Sequence, residues 1–314
     1  MKKLTRAETA AFLAGNDGYL ILTHRRPDGD TLGSAALLCR GLRSLGKTAH
    51  ILENPEITEK YAPLHQGLTK PAAEAGDILV AVDTASKGML PVAFSHLADK
   101  IALRIDHHAA ENYTDWELVE PETAACGELV ARVLSLMGVQ LDKPMANALY
   151  TAISTDTGCF RYANTTAETF EIAAHCAYNG ADLYAINQAL FETRSLGRLR
   201  LEGWLVENML FLQDGQVAIC ALPKAKEEEL HLTEDDLENI SGFPRSIEGV
   251  KIAATIREEG ENRVKISVRA VPGYDAAAIC QKFGGGGHKG AAGASMACSM
   301  DEAVEKIKEV MPRI

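Results

Sequence analysis

The chain has 314 residues, a formal net charge of −11, 46% apolar residues and a mean hydropathy of −0.07. That length exceeds one ordinary compact domain and suggests two, with a cleft between them. The acidic balance excludes a protein that grips long nucleic acid mainly through its phosphates. No apolar run approaches the roughly 18 residues of a membrane span, and the start, Met1-Lys2-Lys3-Leu4-Thr5-Arg6, has no apolar core of a signal peptide. A cytoplasmic protein without membrane attachment is expected. Seven scattered cysteines, with no Cys-x-x-Cys pair, read as buried reduced thiols.

In chain order, the first strand is predicted over Gly18 to Thr23, followed by a helix from Thr31 to Leu45. Further apolar runs at Asp77 to Val82 and Ile101 to Ile105 read as strands, and helical stretches follow at Glu128 to Met137, Pro144 to Ile153 and Thr166 to Ala177. Pro144 suits a first helical turn and Gly180 a helix end. This alternation predicts a parallel α/β sheet over residues 1–190. A helical stretch within 191–212, Leu196 to Leu212, reads as a linker. Residues 213–314 read as a smaller α+β domain, with strands at Val250 to Ile256 and Val264 to Arg269 and a last helix near Met300 to Val310. Thr233, ahead of Glu234-Asp235-Asp236, has the form of a helix N-cap. Between Arg245 and Gly290, eight basic residues face five acidic ones, a local +3 that leaves −14 on the remainder.

Polar residues gather where the strands end. His24-Arg25-Arg26-Pro27-Asp28-Gly29-Asp30 follows the first strand, and its Pro and Gly force a turn that lets His24, Asp28 and Asp30 converge. Taken alone, Pro27-Asp28-Gly29-Asp30 is compatible with a simple turn and helix cap. However, the second strand ends at Asp83, the third at Asp106-His107-His108, and a fourth acid, Asp156, follows a helix. Ligands of open α/β sheets bind at that carboxyl edge. Carboxylates and imidazoles without thiolates suit Mn²⁺ or Mg²⁺ better than structural zinc. A pair of such ions serves phosphate-ester hydrolysis.

The ordered set His24-x-x-x-Asp28-x-Asp30, Asp83, Asp106-His107-His108 and Asp156 resembles the motifs of the DHH phosphoesterase family. Phe283-Gly284-Gly285-Gly286-Gly287-His288-Lys289-Gly290-Ala291-Ala292-Gly293 is similar to the signature of its DHHA1 domain, and the two together span nearly the whole chain. Asp156-Thr157-Gly158-Cys159-Phe160-Arg161-Tyr162 is similar to the nanoRNase and pAp phosphatase group. The resemblance implies a DHH domain with a smaller DHHA1 domain and an active site in the cleft. It implies two Mn²⁺ ions, with Mg²⁺ as the alternative, one held by His24, Asp28 and Asp83 and the other by Asp30, Asp83, His107 and Asp156. Asp83 would bridge, Asp106 would support a histidine, and His108 would meet the leaving oxygen or a phosphate. Arg269, Gly286, Gly287, His288 and Arg161 would contact substrate. Ala270 stands where a serine is common, and Arg26 where asparagine is.

The expected substrates are short oligoribonucleotides, cut to nucleoside 5′-monophosphates, and 3′-phosphoadenosine 5′-phosphate (pAp), converted to AMP. Alternatives are hydrolysis of linear or cyclic dinucleotides and an inactive nucleotide-binding protein. Dimers are common in the family, so a homodimer is a further expectation.

Overall fold

The computed structural model describes residues 2–109 and 112–314, in two units, Met1–Thr193 and Arg194–Ile314. The first contains β1 (Lys2–Lys3), α1 (Arg6–Gly15), β2 (Tyr19–Leu22), α2 (Gly29–Ser44), β3 (Ala49–Leu52), α3 (Ala62–His65), β4 (Thr69–Lys70), β5 (Ile78–Val82), β6 (Ile101–Asp106), β7 (Trp116–Val119), α4 (Cys126–Leu136), α5 (Lys143–Asp156), α6 (Ala167–Tyr178) and α7 (Leu183–Asn187). Its seven strands form a parallel sheet in the order β1-β7-β6-β5-β2-β3-β4. The predicted strands are its centre, β6, β5 and β2. From β2 the chain first adds β3 and β4 on one side and then returns to place β5, β6 and β7 on the other. The crevice of such a sheet opens where the order reverses, beyond the carboxyl ends of β2 and β5.

Burial explains why those strands were readable. All four residues of β2 are buried. Tyr19 and Ile21 join Val80 and Val82 in the core under α1, α2, α4 and α5, whereas Leu20 and Leu22 join Leu79 and Ala81 in a smaller core with Leu97 and Ala98. A strand covered on both faces must be apolar throughout.

The second unit contains α8 (Leu196–Asn208), β8 (Leu210–Leu212), β9 (Val217–Leu222), α9 (Lys224–Glu229), α10 (Glu234–Leu237), β10 (Ile252–Gly260), β11 (Arg263–Ala270), α11 (Ala276–Gln281), β12 (Gly286–Gly287), β13 (Ala291–Met296) and α12 (Met300–Val310). Its sheet runs β12-β13-β11-β10-β9-β8, with β9 and β10 parallel and the other pairs antiparallel. Val217 and Ile219 pack with Ile279, Ala303 and Ile307 on one face, while Cys220 and Leu222 pack with Leu201 and Leu205 on the other. Thr233 caps α10 as expected.

One expected element differs. The helix predicted to Leu212 stops at Asn208, and Leu210-Phe211-Leu212 pairs with β9 through Leu210–Ile219 and Leu212–Val217. Gln213, Asp214 and Gly215 take left-handed backbone angles that turn the chain into that hairpin, so a tight turn overrides helical periodicity. All seven cysteines are free. No described helix is long and apolar enough to cross a membrane.

Candidate metal centre

His24 leaves the buried end of β2 and is itself 7% exposed. Its Nδ1 lies 2.8 Å from the Arg25 carbonyl and serves as the donor there, which turns Nε2 toward Asp28 at 3.7 Å and Asp83 at 3.6 Å. Asn54 secures the strand end by donating to Thr23 Oγ1 and to the His24 carbonyl, both at 3.0 Å. Arg26 has φ +48°, a left-handed angle held by donation of its N–H to Glu56. Asp28 then caps α2, accepting from the N–H groups of Asp30 and Thr31.

Asp83 follows β5 with φ +49° and is 2% exposed. Three imidazoles surround its carboxylate: His24 at 3.6 Å, His107 at 3.5 Å and His108 at 3.4 Å. Burial by itself would raise this carboxyl, but His107, His108 and His24 hold it well below the usual range. In the Asp-His-His triplet the roles separate. His107 Nδ1 donates to the Thr123 carbonyl at 3.0 Å, leaving Nε2 facing Asp30, Asp83 and Asp156 at 3.7, 3.5 and 3.5 Å. His108 turns Nδ1 to Asp106 at 2.9 Å, so its Nε2 points the other way.

Asp30, 1% exposed, is fixed by three donors: Ser34 Oγ at 3.0 Å, Cys126 N–H at 2.6 Å and Gly127 N–H at 3.0 Å, the last two at the start of α4. Asp156 ends α5. Glycines let these helices approach. A Cβ on Gly29 would fall 2.4 Å from Thr155 Cγ2, one on Gly33 2.4 Å from the Ala148 carbonyl, and one on Gly127 2.6 Å from Ala152 Cβ. Gly33→Ala is therefore expected to destabilise the protein by about 1–3 kcal/mol, because backbone must shift to admit the methyl. Thermal melting checks this, and an unchanged midpoint would show that α2 and α5 have slack.

The donor set fits divalent cations. His24, Asp28 and Asp83 form one group of candidate ligand atoms, all within 4.8 Å of one another, and Asp30, His107 and Asp156 form a second. A third group joins Asp83 with Asp106, His107 and His108, but both Asp106 oxygens already accept hydrogen bonds. Buried Asp83 Oδ1 and His107 Nε2 have no hydrogen-bond partner, a costly arrangement in an interior without a cation. Protonation reflects the same crowding. Burial opposes charge on His107 and His108, yet the carboxylates raise them to about 10 and about 11. Burial, then the charges of Asp83 and Asp28, raises Asp156 to about 7 despite His107. Burial and the charges of Asp83 and Asp156 push Asp30 well up.

The other residues singled out in the sequence are not candidate metal ligands. Exposed Arg161 follows a left-handed turn, Gly158-Cys159-Phe160, and its Nε donates to the Gly158 carbonyl. Arg269, Gly286, Gly287 and His288 belong to the second unit. Gly286 and Gly287 form β12 against Gly293 and Ala292, and the His288 N–H donates to the Ala291 carbonyl at 2.8 Å, so the glycine run is a paired hairpin. A Cβ on Gly287, whose φ is +141°, would fall 2.6 Å from that carbonyl. Arg269 is in register with Ala291, which sets it beside the hairpin. The basic window is less available than its charge suggested, because Arg257 is bound by Glu227 and Glu234 and Arg263 faces Glu259.

Sequence reasoning missed Arg104, whose side chain is 0% exposed and donates twice to Asp106. The available signal was its spacing: residues i and i+2 of a strand share a face.

Residues 19–153 match the DHH family, N-terminal domain, and residues 214–312 the DHHA1 domain. The chain is 32% identical over 298 residues to a "Bifunctional oligoribonuclease and PAP phosphatase NrnA" of Thermus thermophilus, covering 93% of this chain and 88% of that protein. It is 27% identical to a protein of the same name from Mycoplasma genitalium, covering 94% and 93%. Among solved structures, an exopolyphosphatase-related protein from Bacteroides fragilis superposes with a TM-score of 0.87 at 26% identity, covering 97% of this chain and 95% of that one. A parallel sheet with carboxylates and imidazoles at its carboxyl edge, joined to a second α+β unit, defines a hydrolase of phosphate esters. The chain belongs to the DHH phosphoesterase family, with a DHHA1 domain.

Proposed function

We propose that this protein hydrolyses very short oligoribonucleotides to nucleoside 5′-monophosphates and pAp to AMP, using two Mn²⁺ ions. The observation that carries this reading is the Asp83 carboxylate, 3.4 to 3.6 Å from three imidazole nitrogens, beside polar atoms that lack partners. It is supported by the activities named for the Thermus and Mycoplasma relatives. His24, Asp28 and Asp83 would hold one ion, and Asp30, Asp83, His107 and Asp156 the other, Asp83 contributing to both groups. The bound ions would supply positive charge that polarises phosphoryl oxygens and lowers the pKa of water.

The chain's own residues orient the rest. Asp106 holds His108 through Nδ1, which frees Nε2 to donate to the leaving oxygen or to a phosphate oxygen. Arg269 supplies a guanidinium and His288 its imidazole for substrate phosphate, Gly286 and Gly287 leave room for close approach to the backbone, and we assign Arg161 a further contact. Seven unpaired cysteines agree with a reducing compartment such as the cytoplasm.

The test is hydrolysis by the full chain of pAp, a dinucleotide, a pentamer, a 24-mer and a cyclic dinucleotide, with Mn²⁺, Mg²⁺ or chelator. Dinucleotide and pAp should turn over with Mn²⁺ and not with chelator, and the 24-mer about tenfold or more slowly, because the acidic surface repels long polyanions. Equal rates for 24-mer and dinucleotide would remove the size preference. Fastest turnover of the cyclic dinucleotide would replace the substrate class.

A further inference from the structure

Arg104 is the bulkiest fully buried side chain of the described protein, and it binds Asp106, a member of one of the candidate ligand groups. A guanidinium withdrawn from water is costly unless its donors are matched. Its Nε and Nη2 donate to Asp106 Oδ2 at 2.9 and 2.7 Å, and Nη2 also donates to the His108 carbonyl at 3.2 Å. Behind it, Nη1 lies 3.8 Å from Glu117 Oε2, and the Tyr113 ring packs 5.1 Å from the guanidinium carbon. Glu117 is held in turn by the N–H groups of Tyr113 and Thr114, and Tyr113 donates its hydroxyl to the Thr84 carbonyl, next to Asp83.

The two oxygens of Asp106 therefore divide their work. Oδ2 is taken by Arg104, and Oδ1 accepts from both the N–H and the Nδ1 of His108, at 3.0 and 2.9 Å. Arg104 grips the triplet at its first side chain and at its last carbonyl, and these two points fix the carboxylate rotation and the backbone that carry the His108 ring. We infer that Arg104 is a positioning residue, which aims His108 Nε2 by clamping Asp106 and the His108 carbonyl. This rests on the proposed contact of His108 with the reacting phosphate. A lysine, with one ammonium in place of a planar fork, cannot reproduce both contacts.

The test compares Arg104→Met and Arg104→Lys, each alone and combined with His108→Ala. The readouts are kcat and KM for a dinucleotide, divalent-ion affinity of the metal-free protein by calorimetry, and the proton NMR resonance of His108 Nδ1–H. That resonance is assigned by its absence in His108→Ala. Arg104→Met should lower kcat by about 10- to 100-fold, with KM and ion affinity within about threefold of wild type, and Arg104→Lys should recover only part of the loss. In the His108→Ala background the same change should cost less than about threefold, since coupled residues do not add. The Nδ1–H resonance, sharp in metal-free wild type, should broaden or vanish in both Arg104 variants.

Multiplicative losses in the two backgrounds, a sharp resonance in both variants, or a parallel fall in ion affinity would overturn the inference. If Arg104→Met does not fold, Arg104→Lys carries the same comparison. Wild-type turnover in His108→Ala would remove the proposed role of His108 instead, while the resonance would still report whether Arg104 positions the ring.

Discussion

Asp83→Asn is expected to lower turnover of a dinucleotide by on the order of 10³-fold or more, the scale of removing a central electrostatic element from an active site. Asparagine is the informative replacement because Asp83 has φ +49°, a backbone angle that Asn tolerates better than Ala, so the fold is disturbed least. What is lost is charge and one acceptor. An amide offers one oxygen where the carboxylate has two, so it cannot serve both sides of the centre. The imidazoles of His24, His107 and His108 also lose the anion they share. Without added metal, Asp83→Asn should therefore melt below wild type at neutral pH, as well as losing activity. Steady-state kinetics with Mn²⁺ and melting in chelator check the two halves, and wild-type turnover in the variant would refute a bridging role for Asp83.

Asp28, Asp30, Asp83 and Asp106 were readable because they stand at or just beyond the ends of strands whose apolar runs mark burial on both faces, whereas Asp156 ends the helix α5. The edges of that sheet were not. β3, β4 and β7 are four, two and four residues long, and Thr69-Lys70 has no apolar residue, so periodicity has little to act on. The packing between α2, α4 and α5 was hidden for a different reason. Gly29, Gly33 and Gly127 look locally like turn or helix-weakening residues, and only the neighbouring helices show that a Cβ has no room.

Arg104 reads as a charged residue interrupting Ile-Ala-Leu-Arg-Ile, and its meaning depends on Asp106 two residues on and on Glu117, its register partner in β7. Local sequence can suggest the first relation. The second needs the strand pairing. The basic window failed in the same way, since Glu227 and Glu234, which neutralise Arg257, lie outside it.

Removing divalent ions should make the protein's stability fall as pH rises, and adding them should reverse the trend. Asp156 is raised from 3.8 to about 7, so the stability it contributes is fully present below about 4 and is lost as pH rises through 7. Asp30 is raised well above the same ordinary value and acts in the same direction. His107 and His108, raised from 6.5 to about 10 and about 11, contribute stability that is complete below about 6.5 and is lost as pH climbs toward those values. Asp83 and Asp106 are lowered, so their contribution is lost only on acidification, below this window.

Between pH 6 and 9 the metal-free protein should therefore melt at progressively lower temperature, by a few °C in total. Divalent ions compete with those protons for the same atoms and bind more tightly as pH rises. At a free concentration 100 times Kd, an ion adds about 2.7 kcal/mol, so the gap in melting temperature between Mn²⁺ and chelator should widen from pH 6 to pH 9. Asp156→Asn should flatten the metal-free slope near neutrality and narrow the gap. Scanning calorimetry at four pH values decides the matter: a gap that stays constant or shrinks with rising pH would mean that the crowded carboxylates and imidazoles are not where the ions bind.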